Sequence, residues 1–249
     1  MRFLDPKVSE FDCETLVTST RVTPKSLLVI RVFILAYALF VFLFTLVLDV
    51  KEHKTFWGYF TYWTFFGIIV YFVSAVYNSA VYVYGRGLKR LQARPNWVKF
   101  INWYLYMIPA TCAYIVTAVF WVLLFPTWTG PCVRLWLTAS LHGANALFMI
   151  SEFLLGRIPL VYQLLVPHLL TIILYLAISF VYHSETGFWS YSFLDTSKKM
   201  FWAYYLGIGL FFILVFVGIV TLHRWRDTRR ERGWTNVIRL EGEAVELKA

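Results

Sequence analysis

Six long apolar segments, at about residues 27–48, 56–84, 101–125, 135–155, 159–182 and 200–222, occupy most of this 249-residue chain. Each is near or above the roughly 20 residues that carry a helix across hydrocarbon. Backbone amides in lipid have no water to bond, so a spanning segment must satisfy them within itself. A helix does this, and the segments lack the two-residue alternation of barrel strands. The expected fold is therefore all-α: a polytopic membrane protein with six transmembrane helices. A polar N-terminal segment (1–26) precedes the six-helix domain (27–222), and a tail (223–249) follows it. Composition agrees, since hydrophobic residues make up 59%, aromatics 20% and DEKR 15% of the chain, a balance that hydrocarbon favours and a water-soluble core does not need.

The loops set the orientation. With both termini cytoplasmic, 18 of the 23 Lys and Arg fall on the cytoplasmic side and five outside, Arg31 being counted with the N-terminal group. That is the positive-inside bias. The net charge of +9 is then topological, a basic surface facing anionic lipid, and no basic folded domain offers a nucleic-acid site. The N-terminal residues, with Asp5, Glu10, Asp12 and Glu14 among them, do not read as a cleaved signal peptide. Cys13, Cys112 and Cys132 are assigned to three different compartments, so no disulfide is expected. From Arg224, the run RWRDTRRER is read as a stem prolonging the last helix along the headgroups.

Polar residues inside hydrocarbon are costly, which makes them the search set for function. The second segment holds Thr61, Thr64, Ser74 and Asn78; the fourth holds His142, Asn145 and Glu152, which share one helical face. Both segments enter from the outer side. At 1.5 Å per residue, Thr61 lies about 8 Å and His142 about 10 Å below that boundary. A hydroxyl and an imidazole at matched depth can form a nucleophile and its base, because a threonine hydroxyl attacks only when a neighbouring group takes its proton. The bland reading is that Thr61 bonds its own backbone and His142 ties helices together. His168 follows Pro167 and is expected to satisfy a carbonyl freed at a kink. His183 is read as interfacial, and His53 and His223 as solvated. Metal is not expected: no span contributes more than one His, and HExxH is absent. The GxSxG, phosphate-loop and GxGxxG signatures are also missing, so no cofactor follows.

YFTYWTFFG at 59–67, AVFW at 118–121, WLTASLHGANALFMISE at 136–152 and VYHSETGFWSYSFLD at 181–195 resemble the androgen-induced protein family over most of the six-span core. The His-x-x-Thr-Gly-x-Trp-x-Tyr-x-Phe-Leu-acid pattern from His183 to Asp195 is the most specific piece. The resemblance implies a six-span hydrolase whose intramembrane threonine and histidine cleave fatty acid esters of hydroxy fatty acids. The family's threonine, between aromatics at the start of the second span, matches Thr61; its histidine, six residues after a Trp, matches His142. One departure is Ala139, where the family carries a further histidine.

The expectation is thus a lipid-ester hydrolase in which Thr61 is the nucleophile and His142 the base, with Asn145 or His183 as candidate oxyanion donors and Thr64 as a rival nucleophile. Its partners are membrane lipids and the lipid ester, entering beneath an interfacial collar of Trp57, Tyr59, Trp128 and Trp189. Its location is an endomembrane, the endoplasmic reticulum first, or the plasma membrane. The competing class is a non-enzymatic membrane protein of signalling, trafficking or membrane organisation, with the polar residues merely holding the bundle.

Overall fold

The computed structural model describes residues 11–52, 56–85, 87–125 and 131–246, the side chains of 49–52 and 231–246 excepted; His53 and Trp128 lie outside the described residues. Among the described residues there are helices and turns and no strand. The α-helices are α1 (Pro24–Glu52), α2 (Phe60–Tyr84), α3 (Leu88–Gln92), α4 (Asn96–Val119), α5 (Cys132–Ala139), α6 (Asn145–Leu155), α7 (Leu165–Thr186) and α8 (Phe201–Glu246). Five helical stretches are long and apolar enough to cross a membrane: Pro24–Leu48, Phe60–Tyr84, Asn96–Leu124, Tyr162–Thr186 and Phe201–Arg230. Helices α5 and α6 form a continuous run interrupted by a π turn at Ser140–Ala144, and a second π turn at Phe120–Leu124 ends α4.

Local chemistry explains the ends. Thr23 Oγ1 accepts from the Ser26 amide at 3.2 Å, immediately before Pro24; a hydroxyl cap followed by proline at the first helical position is a strong start signal. Gly187 stops α7 in the left-handed region, φ +70°, its amide bonding the His183 carbonyl. Glycine bears that conformation without steric cost. Pro167 falls in the first turn of α7, where a missing amide breaks no intrahelical bond. No carbonyl is freed there for His168 to satisfy. The Pro167 carbonyl is instead taken by Thr171 at 3.0 Å and approached by Tyr104 at 3.4 Å, while buried His168 faces Thr111 at 3.4 Å.

Helix α4 is central, packing on α2, α6 and α8, and α1 packs on α2. The main core joins Ile68, Tyr71 and Phe72 of α2 to Tyr106, Met107 and Ala110 of α4, Met149 of α6 and Phe216 and Val220 of α8. It also takes in Phe11, Cys13, Leu16 and Val17, so this part of the polar N-terminal segment is folded onto the bundle. Large apolar side chains point outward elsewhere, among them Phe33, Phe40, Val122, Val181 and Leu214, as hydrocarbon solvent permits and water does not.

Two charge assignments are corrected. Arg31 is not a loop cation: it is fully buried in α1, its Nε and Nη2 on the two Glu152 oxygens at 2.7 and 2.8 Å, and its Nη1 on Leu16 O and Ser79 Oγ. Tyr71 donates to the same carboxylate at 2.8 Å. A buried charge persists only when paired and bonded in this way. His223 is not solvated either, being 2% exposed and within 2.7 Å of the Tyr106 hydroxyl. Near it, Arg226 and Arg230 bond the carbonyls of Phe153, Leu154, Gly156 and Ile158, supplying donors to the open C-terminal end of α6.

Candidate active site

Thr61 is the second residue of α2, after a 3₁₀ turn at Phe56–Gly58 and an N-cap residue, Tyr59, whose side chain makes no cap bond. His142 is the middle residue of the π turn between α5 and α6. The structure brings them together: Thr61 Oγ1 lies 3.4 Å from His142 Nε2. Such a contact becomes a full hydrogen bond on closing by a few tenths of an ångström, as occurs when substrate enters many sites.

Two contacts fix the imidazole and a third fixes its backbone. Its Nδ1 is 3.0 Å from the Thr138 carbonyl; a carbonyl only accepts, so the proton resides on Nδ1 and Nε2 presents its lone pair to the threonine hydroxyl. The ring lies flat on Phe120 at 3.6 Å between centroids and 15° between planes. The His142 carbonyl accepts from Trp121 Nε1 at 3.1 Å. A π turn pulls carbonyls out of the usual ladder, and here the indole supplies the replacement donor. The two π turns thus face each other, one carrying the base and the other the rings that hold it. The first turn is pinned further by Ser140 Oγ, which lies 2.8 Å from the Tyr37 hydroxyl and 2.8 Å from the Trp136 carbonyl.

Thr61 also lines an apolar cavity of about 110 Å³ between α2, α4, α7 and α8. Ile115, Val119 and Phe120 form one wall and Ile172, Tyr175 and Leu176 another; Tyr191, Phe193 and Leu194 close it from the loop after α7, and Tyr205, Gly209 and Phe212 complete it. Such a wall suits an acyl chain, with Thr61 and the phenols as its polar points.

The other sequence-selected residues sit apart from this pair. Thr64 Oγ1 is buried with no hydrogen-bond partner and does not line the cavity. Asn145 accepts through Oδ1 from Thr117 at 3.0 Å and from the Ala146 amide at 2.7 Å, leaving Nδ2 without a partner. His183 stacks on Trp189, 3.8 Å and 13°. Neither lines the cavity, and His142 itself reaches it only through Thr61. Asn78 belongs to a network with Ser74, Asn102 and Arg94, and Glu152 belongs to Arg31; both join helices. Among the described residues, no group of three or more His, Cys, Asp or Glu is placed to hold a metal ion. Phe120, Trp121 and the Thr138 carbonyl were not found in the sequence, because nothing in composition or periodicity announces a π turn. No family model, curated protein or solved structure matches the chain.

Proposed function

We propose that the chain is an intramembrane lipid-ester hydrolase of the threonine type, acting on fatty acid esters of hydroxy fatty acids as its resemblance to the androgen-induced protein family implies. The observation that carries this reading is the Thr61–His142 contact, with Nε2 free to accept a proton, at the edge of an apolar cavity. Thr61 Oγ attacks the ester carbonyl while His142 Nε2 takes the hydroxyl proton. Collapse of the tetrahedral intermediate breaks the ester C–O bond, and His142 returns the proton to the leaving alcohol. Water then attacks the acyl-threonine, again through His142, releasing the fatty acid and restoring Thr61.

In this reading Cys132–Leu155 is the sixth span. Its 24 helical residues cover roughly 36 Å at 1.5 Å each, enough for hydrocarbon of about 30 Å. Both termini are then cytoplasmic, the site lies toward the outer face, and the membrane is an endomembrane or the plasma membrane. The acyl chain enters sideways from lipid, each buried methylene contributing about 0.8 kcal/mol.

The test is turnover of a branched lipid ester by purified protein in nanodiscs. Thr61→Ala and His142→Ala should each abolish it, and the double variant should be scarcely worse, because members of one catalytic unit are non-additive. Full turnover by Thr61→Ala would overturn the reading.

A further inference from the structure

The turn before α2 and the loop after α7 approach more closely than side chains ordinarily allow. A Cβ on Gly58 would stand 2.5 Å from Ser190 Oγ and 3.0 Å from the Tyr182 ring, so glycine is what lets this loop lie against the start of α2. The loop delivers Tyr191. Its ring stacks on Phe193, 4.9 Å and 6°, and meets Tyr59 edge-on at 5.7 Å and 85°. Burial raises the pKa of its phenol while the Thr61 side chain and the backbone amides of Thr61 and Phe60 lower it, as they do for a phenol lying beside the start of α2. Those amides belong to the first turn of α2, whose donors have no intrahelical partner. Tyr191 and Thr61 line the same cavity.

We propose that Tyr191 is a catalytic residue whose hydroxyl donates to the oxyanion formed when Thr61 attacks the ester carbonyl in the cavity that both residues line. The proposal rests on the hydrolase reading of Thr61 and His142. As the Thr61 Oγ–carbon bond forms, the carbonyl π pair moves onto the ester oxygen, and the Thr61 proton goes to His142 Nε2. Tyr191 keeps its own proton and shares it by hydrogen bond with the new O⁻; when the C=O re-forms and the alcohol leaves, that bond relaxes.

A tyrosine phenol is neutral near pH 7 and so offers its O–H as a donor, and burial, which raises the Tyr191 pKa, leaves that unchanged. The neighbouring phenol is differently placed: Tyr175 already donates to the Gly58 carbonyl at 3.0 Å. Asn145 and His183, the donors suggested by sequence, do not line the cavity.

The test is Tyr191→Phe, which keeps both ring contacts and removes only the hydroxyl, assayed in nanodiscs beside wild type. Loss of one oxyanion donor should lower kcat by about 10²–10³-fold with KM and melting temperature nearly unchanged. A fall of less than about tenfold in kcat, or an effect confined to KM, overturns the assignment of Tyr191. As a second measurement, 3-fluorotyrosine at position 191 acidifies the phenol at nearly constant shape; a catalytic donor shifts kcat, whereas a packing role leaves it at the wild-type value. Wild-type protein that neither turns over ester nor forms an acyl-enzyme overturns the hydrolase reading instead, so the two failures are distinguishable.

Discussion

Replacing Arg31 by methionine should destabilise the protein more than any change at a lipid-facing position. The guanidinium makes four hydrogen bonds, two to Glu152, one to Leu16 O and one to Ser79 Oγ, with side-chain exposures of 0% and 2% for the ion pair. These bonds connect the N-terminal segment with α1, α2 and α6. Removing the cation strands a buried carboxylate whose other donor is Tyr71; breaking a buried pair from one side costs about 3–5 kcal/mol. At about 2–4 °C per kcal/mol for a chain of this size, melting should fall by roughly 6–20 °C. In Arg31→Met/Glu152→Met the stranded charge is gone, and what remains is the loss of bonds at Leu16 O, Ser79 and Tyr71, about 1 kcal/mol each. The double variant should therefore melt above Arg31→Met alone. Thermal unfolding of detergent-purified protein followed by intrinsic tryptophan fluorescence reads both values. An Arg31→Met protein melting within about 2 °C of wild type, or a double variant melting no higher than Arg31→Met alone, would refute this account of the cluster.

Gly209 lines the cavity, and a Cβ there meets nothing within 4 Å, so Gly209→Leu should fold normally, fill part of the space and shift ester preference toward shorter acyl chains. Comparison of kcat/KM over a series of chain lengths checks this, and an unchanged profile would place the acyl site elsewhere. Cys132 is exposed whereas Cys13 and Cys112 are buried, and burial raises the Cys13 thiol's pKa, leaving little thiolate to react. A membrane-impermeant maleimide should accordingly modify native protein at Cys132 alone, from the outer face; modification only from the cytoplasmic face would reverse the proposed orientation.

The helices were legible because each long apolar run has only one way to satisfy its backbone in lipid. The Thr61–His142 contact was legible because helical rise converts sequence position into depth, and depth survives small errors at helix ends. What stayed hidden depends on features that a regular 3.6-residue repeat does not encode. The π turn at Ser140–Ala144 changes the register between His142 and Glu152, so residues assigned to one face meet different neighbours: His142 faces Thr61, Asn145 faces Thr117 and Glu152 faces Arg31. Arg31 looked like a loop cation because counting charges along the chain does not show a carboxylate 121 residues away. Tyr191 lies within the His183–Asp195 pattern, the most specific piece of the resemblance, yet its place in one cavity with Thr61 becomes visible only when Gly58 brings the loop and helix together.

The most direct measurement of the central claim is the mass-spectrometric position of a fluorophosphonate adduct. Purified wild-type protein in nanodiscs is treated with a long-chain alkyl fluorophosphonate, digested, and the modified residue is sequenced. The adduct should map to Thr61, disappear in Thr61→Ala, and fall at least about 100-fold in rate in His142→Ala, the scale of a lost general base. An adduct on Thr64 or on a serine, or labelling at Thr61 that proceeds at an unchanged rate without His142, would contradict the assignment of these two residues as nucleophile and base.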